Sequence, residues 1–335
     1  MFHKNASWLA TLLAIVALVA FGATQAPLAR AQTPPAEEHE EMPELEPVSL
    51  GEGEKLRVVA TTNIVADIVL QVGGEEIELT SLLPIGSDPH TYVATPQDVA
   101  AVAEAHVVFA NGAGLEKGFL DELVKNAGGN APVVYLSYGV ELRHLEEEQV
   151  DTHQLEEEHE GVDPHTWTTP ANAIVFARNI EEALSALDPA GAETYKANAA
   201  SYEAQLGELD AWVKEQVETI PEENRKLVTD HAAFGYYADR YGLEQIGAVI
   251  PGFSTAAEPS AKELAALEDA IREYGVKAIF VGTSVNPSLS QRVAEDTGVK
   301  LVTLYTGSLG PEGSGVETYI DYIRYNTTAI VEALR

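Results

Sequence analysis

From residue 55 onward the chain alternates short apolar runs with longer amphipathic stretches. KLRVVATT, IELTSLLP, HVVFANGAG and APVVYLS are β-branched or aromatic runs of strand length in the first half. Asn63 to Val72 has helical spacing, and Pro96 opens a further helix. The second half repeats the alternation. RKLVT reads as a strand, HAAFGYYADRYG as a helix and LEQIGAVIP as a strand. A helix over Ser260 to Tyr274, the strand VKAIFVG, a helix over Leu289 to Thr297 and the strand VKLVTLY follow. Strands that alternate with helices predict parallel sheets, so the fold class is α/β.

One long segment separates the halves. Asp188-Pro189 suits a helix start, and no further proline occurs until Pro221. Tyr195, Ala199, Tyr202, Leu206, Leu209, Val213 and Val217 recur at helical spacing between them. Some ~30 residues at 1.5 Å each would make a rod of about 45 Å. Such a rod can lie along two lobes and join them stiffly. The predicted architecture is therefore two lobes, each a mostly parallel sheet with flanking helices, joined by one long rigid helix. The N-terminal lobe covers 55–187, the joining helix 188–220 and the C-terminal lobe 221–335.

The first residues read differently. Lys4 precedes an uncharged apolar run from Trp8 to Ala20, and Ala29-Arg30-Ala31 offers a small-residue cleavage site. Residues 1–31 are expected to be an export signal, because the run is short for a membrane span of ~20 residues. Residues 32–54 then form an acidic tether with too little apolar surface to order itself.

Charge and composition narrow the chemistry. The formal net charge is −33, which makes nucleic acid and anionic membrane surfaces poor partners. About half of it is local: 33–54 carries eight carboxylates and 141–160 carries nine, with Arg143 the only cation there. The second stretch is expected to be a solvated loop. The sequence contains no cysteine, which excludes disulfides, thiolate metal sites and cysteine nucleophiles. It also speaks against a cysteine-linked lipid anchor, so the chain, exported by its signal and extracytoplasmic, is expected not to be a lipoprotein; it is further expected to be a monomer. Any metal site must be built from histidine and carboxylate.

Nine histidines are present. His3 lies in the signal, His39 in the tether, and His144, His153 and His159 in the acidic loop. His106, inside HVVFA, reads as a packed or surface residue. His90, His165 and His231 remain. His90 and His165 sit in two copies of DPHT, each followed by an aromatic residue and each just before a helical pattern. Proline fixes the local backbone and aims the next side chain, while the aspartate can bind nearby amides or orient an imidazole. His231 directly follows the strand RKLVT, at the carboxyl end where open α/β sheets bind ligands. Three such imidazoles, drawn from both halves, can converge in a cleft.

With these residues in view, the sequence resembles the metal-specific solute-binding proteins of ABC importers for zinc and manganese. SLLPIGSDPHTYVATPQDV, FANGAGLE, DPHTWTTP, VTDHAAFGYYADRYGL, STAAEPSAKEL and YIDYIRYN carry the resemblance, which covers about residues 55–335. It implies His90, His165 and His231 as ligands of a transported divalent metal, a membrane permease as partner, and residues 188–221 as the interlobe helix. It also implies a departure: the family often carries an Asp in the last strand's turn, where YTGSLG here places Gly307, and often a Glu where this chain has Gly282. Asp230 and Glu258 are possible substitutes, whereas Asp88 and Asp163 better suit turns or the support of ligands. Three imidazoles favour Zn2+ over Mn2+, which prefers carboxylate and water. Gly307→Asp is then expected to help manganese relative to zinc. Three histidines and a water also occur in zinc hydrolases, and an adhesin or passive metal buffer is a further rival. Neither H-E-x-x-H, a nucleophile elbow nor a phosphate loop is present.

Overall fold

The computed structural model describes residues 42–144 and 161–335. The export signal, the start of the tether and residues 145–160 of the acidic loop lie outside these, with His3, His39, His153 and His159. The first half contains β1 (Leu56–Ala60), β2 (Ile77–Ser81), β3 (Val107–Ala110) and β4 (Val133–Tyr135), all parallel, in the order β2-β1-β3-β4. The second contains β5 (Lys226–Thr229), β6 (Glu244–Ala248), β7 (Ala278–Gly282) and β8 (Lys300–Leu304), again parallel, in the order β6-β5-β7-β8. The predicted α/β class and its two parallel sheets are therefore observed. In each sheet the order reverses beside the first strand, and ligands bind at the carboxyl ends of strands flanking such a point.

The central strands explain the unbroken apolar runs. Every residue of β3 and β7 is buried, as expected when helices cover both faces of a parallel sheet. On the outer face of the first sheet, Val59, Val108, Leu120 and Leu123 pack with α2 (Pro96–Glu104) and α3 (Leu120–Asn126). On the outer face of the second, Val228, Ile279, Ile271 and Val293 pack with α7 (Ala261–Tyr274) and α8 (Ser288–Thr297). The inner faces share one apolar cluster, which runs from Leu56, Ile64 and Phe176 through Tyr202 and Leu206 to Leu227, Tyr237 and Tyr322. Its helices are α1 (Asn63–Gly73), α4 (Pro170–Leu187), α5 (Ala192–Glu218), α6 (Gly235–Tyr241) and α9 (Tyr319–Leu334).

The joining helix is α5, with 27 residues, or about 40 Å at 1.5 Å per residue. Its buried positions are Tyr195, Ala199, Tyr202, Leu206, Leu209, Val213 and Val217. It packs on α1 and α4 of the first half and on α6 and α9 of the second. Its start differs from expectation. Asp188 caps the C-terminus of α4, accepts from Ala190 N at 3.2 Å and from Tyr195 OH at 2.9 Å, and so turns the chain between two helices. Pro189 belongs to that corner and Gly191 precedes the first helical residue.

The tether also differs. From Met42 it lies against the body, with Met42, Leu45, Val48 and Leu50 packed on the inner cluster and Val48 N donating to Leu187 O at 2.8 Å. Four apolar residues spaced two or three apart give an extended segment one apolar face, which the overall acidity of the stretch conceals. Among the described residues no helix is long and apolar enough to cross a membrane.

Candidate metal centre

His90 is presented by the loop that follows β2. Pro89–Thr91 forms a single helical turn, and the Asp88 side chain caps it by accepting from His90 N at 3.0 Å. Three residues later Thr95, Pro96 and Asp98 form a capping box that starts α2 and ends the loop. His165 precedes a similar turn, Thr166–Thr168, from which α4 departs. Here the aspartate does more. Asp163 Oδ1 accepts from His165 N at 3.0 Å and from Nδ1 of the same residue at 2.9 Å. His231 lies two residues beyond β5, and Asp230 Oδ1 accepts from its backbone N at 2.7 Å and from Nδ1 at 2.8 Å.

Asp88 thus holds the backbone of His90, while Asp163 and Asp230 stand behind the rings of His165 and His231. For His165 and His231 the carboxylate fixes the proton on Nδ1 and turns Nε2 outward as a lone-pair donor. The structure brings the three rings together: His165 Nε2 is 3.2 Å from His90 Nε2 and 3.2 Å from His231 Nε2. Among the described residues this is the group of histidines and carboxylates whose ligand atoms approach within 4.8 Å. Two deprotonated nitrogens at 3.2 Å repel unless a cation lies between them. Nitrogens on a tetrahedron with bonds of about 2.0 Å sit about 3.3 Å apart. The trio therefore suits a first-row divalent ion. His165 and His231 are buried, and His90 is half-buried at the open side.

The electrostatics support a dication. Asp230 is buried, which opposes its ionisation, but His231 and the amide of Gly282, donating to Oδ2 at 2.6 Å, outweigh that and hold its carboxyl below the usual range. Burial likewise opposes a charge on His231, yet Asp230 raises its pKa above the ordinary value. Asp163 is fully buried, and burial pushes its carboxyl up to about 6 against the His165 amide and Arg143. Arg143 Nη1 donates to Asp163 Oδ2 at 2.9 Å, and its Nε to Asp239 Oδ2 at 2.5 Å. Asp230 is thus held as a carboxylate beside the imidazoles, while Arg143 is shared between Asp163 and Asp239.

Further residues fix the cleft. Thr255 Oγ1 donates to Asp88 Oδ2 at 2.5 Å across the two halves. Asn111 Nδ2 donates to Pro164 O at 2.9 Å and its Oδ1 accepts from Thr166 Oγ1 at 2.9 Å, which holds the His165 turn. The segment after β8 is tied to the first half by Trp167 Nε1 to Thr306 O at 3.1 Å, Gly86 N to Ser308 Oγ at 2.7 Å, Asn63 Nδ2 to Ser308 Oγ at 3.1 Å and Leu309 N to Asn63 Oδ1 at 2.8 Å. Sequence reasoning did not assign roles to Asn63, Asn111, Arg143, Thr255 or Trp167. Asn111, Trp167 and Thr255 fall inside recognised motifs, FANGAGLE, DPHTWTTP and STAAEPSAKEL, which is the one signal available for them. Asp230, read as a possible fourth ligand, instead backs His231. Glu258 is exposed and stands outside the trio. His106 lies apart, with Nδ1 accepting from Arg57 N at 3.0 Å, as a packed residue.

Known proteins resemble the chain over most of its length. The family model described as zinc-uptake complex component A, periplasmic, matches residues 58–333. The manganese-binding lipoprotein MntA of Halalkalibacterium halodurans is 36% identical over 284 residues, 84% of this chain and 90% of that protein. The manganese ABC transporter substrate-binding lipoprotein PsaA of Streptococcus mitis is 35% identical over 288 residues, 84% of this chain and 90% of that protein. Among solved structures, the periplasmic zinc binding protein TroA from Treponema pallidum matches with a TM-score of 0.73 at 30% identity, over 84% of this chain and 99% of that one. These names correct one expectation. The missing cysteine pointed to a chain that is not a lipoprotein, but MntA and PsaA are lipoproteins by name and match over most of their length. The cysteine argument concerned a leader outside the described residues, whereas the relatives match the folded body.

Proposed function

The chain belongs to the zinc-uptake component A family of periplasmic metal-binding proteins, and on that premise we propose that it captures one divalent transition-metal ion, preferentially zinc, through His90, His165 and His231. It then delivers the ion to a membrane permease. Family members are substrate-binding proteins of ABC importers and not enzymes, so the hydrolase reading of a three-histidine site is set aside. The observation that carries the proposal is the convergence of three Nε2 atoms, two of them 3.2 Å from His165 Nε2. Neutral imidazole is a good donor to zinc and a poor substitute for the carboxylate and water that manganese prefers. Manganese is the second reading, because MntA and PsaA are named for it.

The test is affinity for zinc and for manganese by chelator competition, in the wild type and in His90→Ala, His165→Ala and His231→Ala. Zinc should bind more tightly than manganese in the wild type. Each substitution should weaken zinc by orders of magnitude, because each removes a large share of the binding free energy. Wild-type affinity in all three variants would remove the site, and a manganese preference in the wild type would overturn the choice of metal.

A further inference from the structure

Gly307 invites the reading of a vacant ligand position, since it has no side chain and stands against Pro89, the neighbour of His90. Its surroundings say otherwise. A Cβ at Gly307 would fall 2.6 Å from Cδ and 3.0 Å from Cγ of Pro89. Carbon atoms that are not bonded settle at about 3.5–4.0 Å. Pro89 cannot yield by rotating, because its ring is closed onto the backbone, and it is buried in the turn that carries His90. Gly307 cannot yield easily either, because Thr306, Ser308 and Leu309 are each bonded to the first half. The second glycine is filled too. A Cβ at Gly282 would collide with Thr306 Oγ1 and lie 3.1 Å from Asp230 Oδ2. The space that a side chain from either position would use is occupied by the packing that holds His90 and His231.

We propose that Gly307 is a specificity-determining contact: its bare backbone lets the Pro89 turn seat against the second half, so that the three imidazoles close on one ion with no carboxylate from that segment. Pro89 belongs to the first half and Gly307 to the second, and His90 is bonded next to Pro89. A side chain at 307 therefore opposes the same approach that brings His90 Nε2 to His165 and His231. The site becomes a three-nitrogen pocket for a small tetrahedral cation, and a ligand added at 307 acts first as a wedge. This reverses the expectation that Gly307→Asp favours manganese. The inference rests on the metal-site reading above.

The experiment compares Gly307→Ala, Gly307→Asp, Pro89→Ala and the double variant Pro89→Ala/Gly307→Ala. Zinc and manganese affinities, zinc dissociation rates and the melting temperature of metal-free protein are measured for each. Gly307→Ala adds a Cβ and no ligand. It should weaken zinc by about tenfold to a hundredfold, the effect expected from overpacking a closed contact, mainly through faster dissociation. Gly307→Asp should weaken both metals. In the double variant the ring atoms that meet the new Cβ are gone, and affinity should return to that of Pro89→Ala alone. Unchanged zinc affinity in Gly307→Ala, tighter manganese in Gly307→Asp, or no recovery in the double variant would each overturn the proposal. Should Gly307→Ala fail to fold, recovery of folding in the double variant supports the wedge and continued failure overturns it. A wild type whose zinc binding is indifferent to His165→Ala would sink the metal-site reading itself. Wild-type behaviour in Gly307→Ala, with His165→Ala still defective, sinks only the role of Gly307.

Discussion

At the scale of single residues, three histidines depend on three aspartates placed one or two positions before them. The dependence is strongest at His231, where one carboxylate oxygen receives both the amide and Nδ1 and the other receives Gly282 N. Asp230→Asn keeps the shape but loses the charge, and it can present an NH2 group to Nδ1. Zinc affinity should fall about 10–100-fold, the usual cost of removing such a supporting carboxylate. Chelator competition measures it, and an unchanged affinity would mean that Asp230 does not orient the ring. The three converging histidines were legible in the sequence because a repeated DPHT and a strand-end histidine are local patterns. The role of Asp230 was not. Whether an aspartate beside a histidine faces the ion or folds back onto the ring is decided by side-chain rotation, which no spacing records. The Asp88–Thr255 bond spans 167 residues and depends on the closed arrangement of both halves.

At the scale of elements, α5 carries the most structural consequence. Its seven buried positions are the seven read from spacing, and that register was legible because an isolated helical stripe on a polar background is unambiguous. Its start was misread, since Asp-Pro suits a helix N-terminus and an interhelical corner equally well. The helix α4 was also legible in principle: Ala173, Phe176, Ala177, Ile180, Ala183, Leu184 and Leu187 recur at helical spacing, but they follow directly on the DPHTW turn that drew the reading. The buried face of α5 contacts helices of both halves, so its loss should be felt by the whole fold. Leu206 is fully buried. Leu206→Ala should cost roughly 2–5 kcal/mol, read from denaturant unfolding of metal-free protein. Two separate transitions in place of one shifted transition would show that the halves unfold independently despite their common cluster.

At the scale of the whole molecule, protons and metal compete for the same nitrogens. Asp230 raises the pKa of His231 in the metal-free fold. A raised folded value stabilises the metal-free protein below the unfolded histidine value of about 6.5, and that contribution is lost as pH rises through the folded value. Zinc has the opposite dependence, because it binds the neutral rings. At a thousand times Kd, zinc should add about 4 kcal/mol of stability near neutral pH. The zinc-induced rise in melting temperature should shrink steeply as pH falls from about 7 to 5, because protons compete with the ion for the imidazole nitrogens and Asp230 strengthens that competition at His231. A rise that stays constant over that window would mean that carboxylates dominate the site.

The unequal exposure of the three rings has a consequence for traffic. His165 and His231 are sealed in, and only His90 meets solvent. On the proposed reading, an ion arriving from solvent meets His90 first and is enclosed by His165 and His231 afterwards. The site therefore has a sequence as well as a composition: one imidazole receives, two retain.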